Sequence, residues 1–400
     1  IRNNGDGARD FKVSETPISA PGFTNWQDFV PHVLGRPIAG FGLSQDYFVL
    51  YYRTNGLPQV QIRNLASGET HELTLDEEDY AVRLQGNREW DSSNLRFSYA
   101  SLTTPATVYD YDMVTREREF RKQTEVLGDF SSDKYQSRRV FATAEDGTQI
   151  PISLLYAKDT PLDGSAPLYL YGYGSYGIII DSDFSSVRLS LVDRGYIFAI
   201  THVRGGMDLG WDWYEGGKLL NKKNTFTDFI ACAEHLIQEG YTTKGNIVSS
   251  GGSAGGMLMG AIVNLRPDLF KAVIADVPFV DVLNTMLDDT LPLTTMEYNE
   301  WGNPNDQQYY DYIKSYSPYD NVQRQDYPHM LITGGISDPR VTYWEPAKWA
   351  AQLRESKTDD NLLLLKIHMD SGHGGASGRF DRLREVALEY AFILKVFAKE

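Results

Sequence analysis

The sequence predicts an α/β protein with a largely parallel sheet, preceded by a region of short antiparallel strands. Three observations predict it. From about residue 126 onward, apolar runs alternate with helical segments. The first 125 residues instead repeat short strands and turns. And one stretch, Ile247-Val248-Ser249-Ser250-Gly251-Gly252-Ser253-Ala254-Gly255-Gly256-Met257, reads as strand, sharp turn, helix around Gly-x-Ser-x-Gly.

In the first region, Tyr47–Tyr52 is a strand candidate and Gln59–Arg63 alternates with period two. Ala66–Glu69 is a turn before His71–Leu73. The order then recurs as Leu95–Ala100, Thr107–Tyr111, a turn at Val114–Arg116 and Glu117–Phe120. Tyr47 and Leu95, like Gln59 and Thr107, lie about 48 residues apart, a period typical of β-propeller blades. Two similar meanders in a β-sandwich would read the same way. Two or so blades cannot close a ring, so further blades would lie upstream or on another chain.

The boundary falls near Phe120–Ser131, giving regions 1–125 and 126–400. Arg138–Thr143 and Gln149–Tyr156 flank a Glu145-Asp146-Gly147-Thr148 turn, the pattern of a hairpin. Strands are then expected at Pro167–Tyr171, Tyr196–Thr201, Gly245–Ser250, Ala272–Asp276, Met330–Gly334 and Leu362–His368. Helices are expected at Ser186–Arg194, Asn224–Glu239, Ala254–Arg266, Glu345–Glu355 and Gly378–Phe397. In such a sheet, functional residues belong at the carboxyl ends of strands.

A net charge of −16, from 38 basic and 54 acidic side chains, argues against nucleic acid and anionic membranes as partners. An apolar fraction of 42% suffices for large cores. The single cysteine, Cys232, rules out an internal disulfide and suits a reducing, cytoplasmic setting. No apolar run is long enough to span a bilayer.

The glycines around Ser253 permit a turn too tight for side chains, with the serine hydroxyl exposed and a helix N-terminus aimed at it. A serine hydroxyl needs a base to become a nucleophile. The order expected in this fold is nucleophile, acid, histidine. Of the histidines after Ser253, His329 precedes its strand and His368 lies inside an apolar run. His373 lies past the last strand in a glycine-rich loop and is the expected base. The acid should also follow a strand. Asp338, in Ile336-Ser337-Asp338-Pro339-Arg340, does so and would orient the imidazole through Nδ1. Asp276 also ends a strand but comes soon after the nucleophile, and ranks below it. For the oxyanion, one donor should be the Ala254 backbone N–H. Another should come from the glycine- and tyrosine-rich loop 168–177, by backbone or tyrosine hydroxyl.

These residues together resemble the prolyl oligopeptidase family of serine peptidases. The likeness is carried by Tyr-Gly-Tyr-Gly at 171–174, Gly-Gly-Ser-Ala-Gly-Gly at 251–256 and Asp-Pro-Arg-Val at 338–341. Arg204-Gly205-Gly206, Gly210–Tyr214, Glu300–Pro304, Ser315–Asn321 and Tyr343–Trp349 extend it toward the oligopeptidase B subfamily. The resemblance implies an α/β-hydrolase catalytic domain preceded by a seven-bladed propeller, of which residues 1–125 would be the last two to three blades. It implies Tyr173 as the side-chain oxyanion donor and Arg340 as a ligand of a substrate carbonyl. It further implies cleavage of short peptides after Arg or Lys, with Glu297 at the bottom of the S1 pocket and Asp181 and Asp183 serving a basic residue in S2. Asn299 stands where a second S1 acid is usual. No metal or organic cofactor is implied. The alternatives are another α/β-hydrolase chemistry, such as a peptidase or esterase of weaker basic preference, or a non-catalytic interaction protein.

Overall fold

The computed structural model describes residues 1–86 and 89–398. Two compact units divide the chain. The first comprises residues 1–139, 179–187 and 207–214, and the second comprises 140–178, 188–206 and 215–400.

The first unit is antiparallel throughout. Strands β1 (Arg2–Asn3), β2 (Lys12–Glu15) and β3 (Gln27–Val30) form a three-stranded sheet. Strands β4 (Ile38–Leu43), β5 (Tyr47–Thr54), β6 (Leu57–Asn64) and β7 (Thr70–Glu72) form a four-stranded meander. Strands β8 (Ala81–Leu84), β9 (Asn94–Ala100), β10 (Thr107–Asp112) and β11 (Arg118–Gln123) form a second. The repeat in the sequence is therefore a repeat of whole sheets. Period-two alternation turns one face of each toward the other: Val49, Val60 and Ile62 pack with Val82, Phe97 and Tyr99 in one core.

The second unit is built on an eight-stranded sheet. Its strands are β12 (Tyr135–Thr143), β13 (Gln149–Ala157), β14 (Leu168–Tyr171), β15 (Ile197–Thr201), β16 (Ile247–Gly252), β17 (Phe270–Asp276), β18 (His329–Gly335) and β19 (Leu363–His368). The spatial order is β12-β13-β15-β14-β16-β17-β18-β19, parallel from β15 to β19. The inner strands are buried on both faces, whereas the edge strands β12 and β19 are partly exposed; Ile247, Val248, Ala272, Val273 and Ile274 are fully buried.

The helices are α1 (Ser186–Val192), α2 (Trp211–Glu215), α3 (Lys223–Gln238), α4 (Ala254–Leu265), α5 (Val282–Leu287), α6 (Thr294–Trp301), α7 (Gln307–Lys314), α8 (Trp344–Ser356) and α9 (Arg379–Phe397). Helix α4 packs on β16 and β17, and α9 on β17 and β18. The sequence reading did not place α2, α5, α6 or α7. All are short, and α6 is polar enough to lack a continuous apolar stripe. Among the described residues, no helix is long and apolar enough to cross a membrane.

Candidate active site

Four loops leave the carboxyl ends of β14, β16, β18 and β19, and they carry Tyr173, Ser253, Asp338 and His373. Strand register sets these ends side by side. Tyr171 pairs with Ser250, Gly252 with Asp276, and Gly335 with His368.

Ser253 sits between β16 and α4 at φ 57°, ψ −120°, a conformation that costs a non-glycine residue roughly 1–3 kcal/mol. The surrounding hydrogen bonds hold it there. Its N–H donates to the Asp276 carbonyl at 2.8 Å, and its carbonyl accepts from Gly256 and Phe279 at 2.9 and 3.1 Å. Asp276 thus serves the elbow through its main chain, while its side chain accepts from the Thr333 hydroxyl at 3.0 Å. The neighbouring glycines are required by close approach. A Cβ on Gly255 would lie 2.8 Å from the Gly172 carbonyl, and one on Gly256 would lie 2.5 Å from Pro278 Cα. The bare Gly255 lets the loop after β14 come down onto the elbow, and the bare Gly256 does the same for the segment after β17.

That loop brings Tyr173 to Ser253, and the two side chains line one cavity. Burial pushes the phenol up to about 12, so at neutral pH it remains a donor. Ala254 opens α4, so its N–H has no acceptor within the helix. Tyr169, by contrast, is buried and stacked on Phe198.

Asp338 is buried. Its Oδ1 accepts from the backbone N–H groups of Arg340 and Val341 at 2.8 and 3.0 Å, and its Oδ2 meets His373 Nδ1 at 2.7 Å. Two fixed donors lock the carboxylate, and the carboxylate in turn fixes the imidazole, leaving Nε2 as the nitrogen for proton transfer. Ser253 and His373 line one cavity of about 320 Å³. His368 lies 3.5 Å from the Glu385 carboxylate, and His329 Nδ1 accepts from the Leu362 N–H; neither partners Asp338.

A second cavity, of about 420 Å³, also opens at Ser253 and is lined by Tyr173, Glu297, Trp301 and Arg340. Glu297 is half-buried there. Its Oε2 accepts from the Tyr176 hydroxyl and from Trp301 Nε1, both at 2.8 Å, so neither donor occupies Oε1. Burial raises its pKa, and these two hydrogen bonds oppose that rise. Asn299, on the same helix, is exposed and is not among the residues lining this cavity. Glu300 is buried and accepts the Tyr176 N–H at 2.8 Å.

Asp181 and Asp183 belong to the first unit and are not brought together with the triad in one unit. Asp181 is 2.9 Å from Arg53, and Asp183 takes both guanidinium nitrogens of Arg83 at 2.7 and 2.6 Å. These arginines lie far away in sequence, so the pairing carries no local signal.

Residues the sequence reading missed are Tyr176 and Trp301 as holders of Glu297, and Glu345. Glu345 lines the larger cavity and accepts from the N–H groups of Val280 and Asp281 and from the Thr285 hydroxyl. Tyr176 had a signal, being in the tyrosine- and glycine-rich loop; Glu345 had none beyond its motif.

Comparison with known proteins agrees with this layout. Residues 182–400 match the prolyl oligopeptidase family, and residues 1–124 match the N-terminal β-propeller domain of prolyl oligopeptidase. The second match identifies the antiparallel meanders as propeller blades rather than sandwich sheets. Dipeptidyl aminopeptidase BI of Pseudoxanthomonas mexicana is 46% identical over 98% of this chain and 54% of its own length. Protease 2 of Moraxella lacunata is 46% identical over 97% of this chain and 56% of its own. Oligopeptidase B of Trypanosoma brucei, solved in a closed form with covalently bound antipain, superposes with a TM-score of 0.93 at 48% identity. That superposition covers 100% of this chain and 57% of the other. The chain thus spans little more than half the length of these relatives. With an α/β-hydrolase unit preceded by propeller blades, and with these matches over both, the chain belongs to the prolyl oligopeptidase family.

Proposed function

We propose that this chain carries the catalytic unit of a serine oligopeptidase that hydrolyses short peptides on the carboxyl side of Arg or Lys. One observation supports this most: Ser253 lines both a cavity holding Glu297 and a cavity holding His373, whose Nδ1 is paired with the buried Asp338. In this reading Ser253 Oγ attacks the scissile carbonyl while His373 Nε2 takes its proton. The Tyr173 hydroxyl and the Ala254 N–H receive the oxyanion, charge that is absent from the ground state. His373 then protonates the leaving amine, and water enters to hydrolyse the acyl-enzyme by the reverse sequence. Asp338 keeps the imidazole in the required tautomer throughout. The covalently bound antipain described for the T. brucei relative fits a nucleophile of this kind.

Specificity in this reading comes from Glu297, whose carboxylate would pair with a guanidinium or ammonium in the larger cavity. Arg340, exposed at the cavity's edge, would donate to a substrate carbonyl. Asp181 and Asp183 would serve a basic P2 side chain only by exchanging it for Arg53 and Arg83. Short basic peptides are the proposed partners, in a cytoplasmic setting. The test is turnover of an Arg-amide substrate by Ser253→Ala. A loss of about a thousandfold or more is expected; turnover within tenfold of wild type would refute the assignment.

A further inference from the structure

Lys222 is a buried charge that the chemistry above does not use. It is 0% exposed and immediately precedes α3. An ammonium has three N–H donors and no acceptor, and leaving one unpaired in the interior is costly. Here Nζ donates to the Gly174 carbonyl at 2.5 Å, to the Ser175 hydroxyl at 2.9 Å and to the Gly217 carbonyl at 2.9 Å. Every donor is thus used. The Trp301 ring lies 5.3 Å away. Burial pushes the ammonium down to about 7, and the Glu300 carboxylate opposes this.

Two of these three acceptors lie immediately after Tyr173. The third comes from a segment that can approach only because it is glycine. A Cβ on Gly217 would overlap the backbone of Arg204 and Gly205, and one on Gly205 would overlap the Gly174 carbonyl. Thr225 Oγ1 donates to the Arg204 carbonyl at 2.7 Å in the same knot. The Arg204-Gly205-Gly206 motif and the Tyr-Gly-Tyr-Gly loop are therefore parts of one assembly, with Lys222 at its centre.

We infer that Lys222 is a positioning residue for the oxyanion: by tying Gly174 and Ser175 to Gly217, it sets where the Tyr173 hydroxyl stands over Ser253. The inference rests on Tyr173 as oxyanion donor. A donor displaced by a fraction of an ångström is lost mainly to the transition state, so the effect belongs in kcat rather than KM.

The test is a double-mutant cycle on the purified protein with an Arg-amide substrate. Lys222→Met is expected to lower kcat about tenfold with KM within about twofold, and Tyr173→Phe to lower it about a hundredfold. The double variant should turn over within about twofold of Tyr173→Phe alone. Losses that multiply in full, or a Lys222→Met kcat equal to wild type, would overturn the inference while leaving the oxyanion assignment intact. Full turnover in Tyr173→Phe alone would remove both. Should Lys222→Met lack a cooperative thermal transition, Ser175→Ala decides. A roughly threefold loss of kcat that vanishes in the Tyr173→Phe background supports the inference, and an unchanged kcat refutes it.

Discussion

The cavities of about 420 and 320 Å³ share Ser253 but surround their carboxylates differently. In the larger, Glu297 is held by two neutral donors, Tyr176 and Trp301, which favour its ionised form. In the smaller, Asp276, Glu385 and Glu389 face one another, with Arg382 and His368 beside Glu385 at 2.9 and 3.5 Å. Burial, with the nearby Asp276 charge, pushes Glu389 up to about 8, and burial raises Asp276 as well. At Glu297 the two donors oppose the rise that burial causes, and among the described residues no second carboxylate of the same cavity lies at hydrogen-bond distance. In the smaller cavity Glu389, pushed up to about 8, keeps its proton at neutral pH. The contrast is consistent with the proposed division, in which the larger cavity would recognise substrate and the His373 side of the smaller one would carry acid–base chemistry.

The sharpest way to break that division is on the smaller side. His373→Ala is expected to reduce kcat about a thousandfold or more for every substrate alike, measured with Arg and neutral amides. A loss confined to Arg substrates would reverse the roles of the two cavities.

On the larger side, Glu297→Gln should cost Arg and Lys substrates about a hundredfold in kcat/KM while a neutral substrate changes by less than about threefold. Because burial raises the Glu297 pKa, the wild-type ratio of Arg to neutral turnover should begin to fall on acidification at a higher pH than an ordinary glutamate would give. Equal losses on both substrates would take Glu297 out of recognition.

Stability tests the crowded acids. Glu389 binds its proton more tightly folded than unfolded, so it binds more protons in the native state between its ordinary value and about 8. Stability should accordingly fall as pH rises through that window. Glu389→Gln should raise Tm by about 2–4 °C at pH 8.5 and not at pH 4. A difference independent of pH would show that the effect is packing alone.

The smallest expected effect is at Asn299. Exposed and outside the cavity lining, it should leave the ratio of Arg to neutral turnover within about twofold when changed to Glu. A larger gain would place that side chain in recognition after all.

Much of this was legible in the chain. The six parallel strands, from Leu168–Tyr171 to Leu363–His368, stand within about two residues of the apolar runs that predict them, because inner strands buried on both faces are largely apolar. The elbow was legible because its glycines are a local steric requirement. The meander repeat was legible because each sheet is built from consecutive strands. The short helix α6, which carries Glu297, was not, since its eight residues, Thr294–Trp301, form no continuous apolar stripe.

What the sequence determined by itself, then, is whatever depends on near neighbours: strands, the turn at Ser253, and the order of Ser253, Asp338 and His373. The tertiary structure alone decided which polar groups share an environment. It paired Asp181 and Asp183 with Arg53 and Arg83, placed Tyr176 and Trp301 on Glu297, and buried Lys222 among three acceptors. Charge and hydrogen bonding act through space, and residues separated by tens or hundreds of positions leave no periodic trace of meeting.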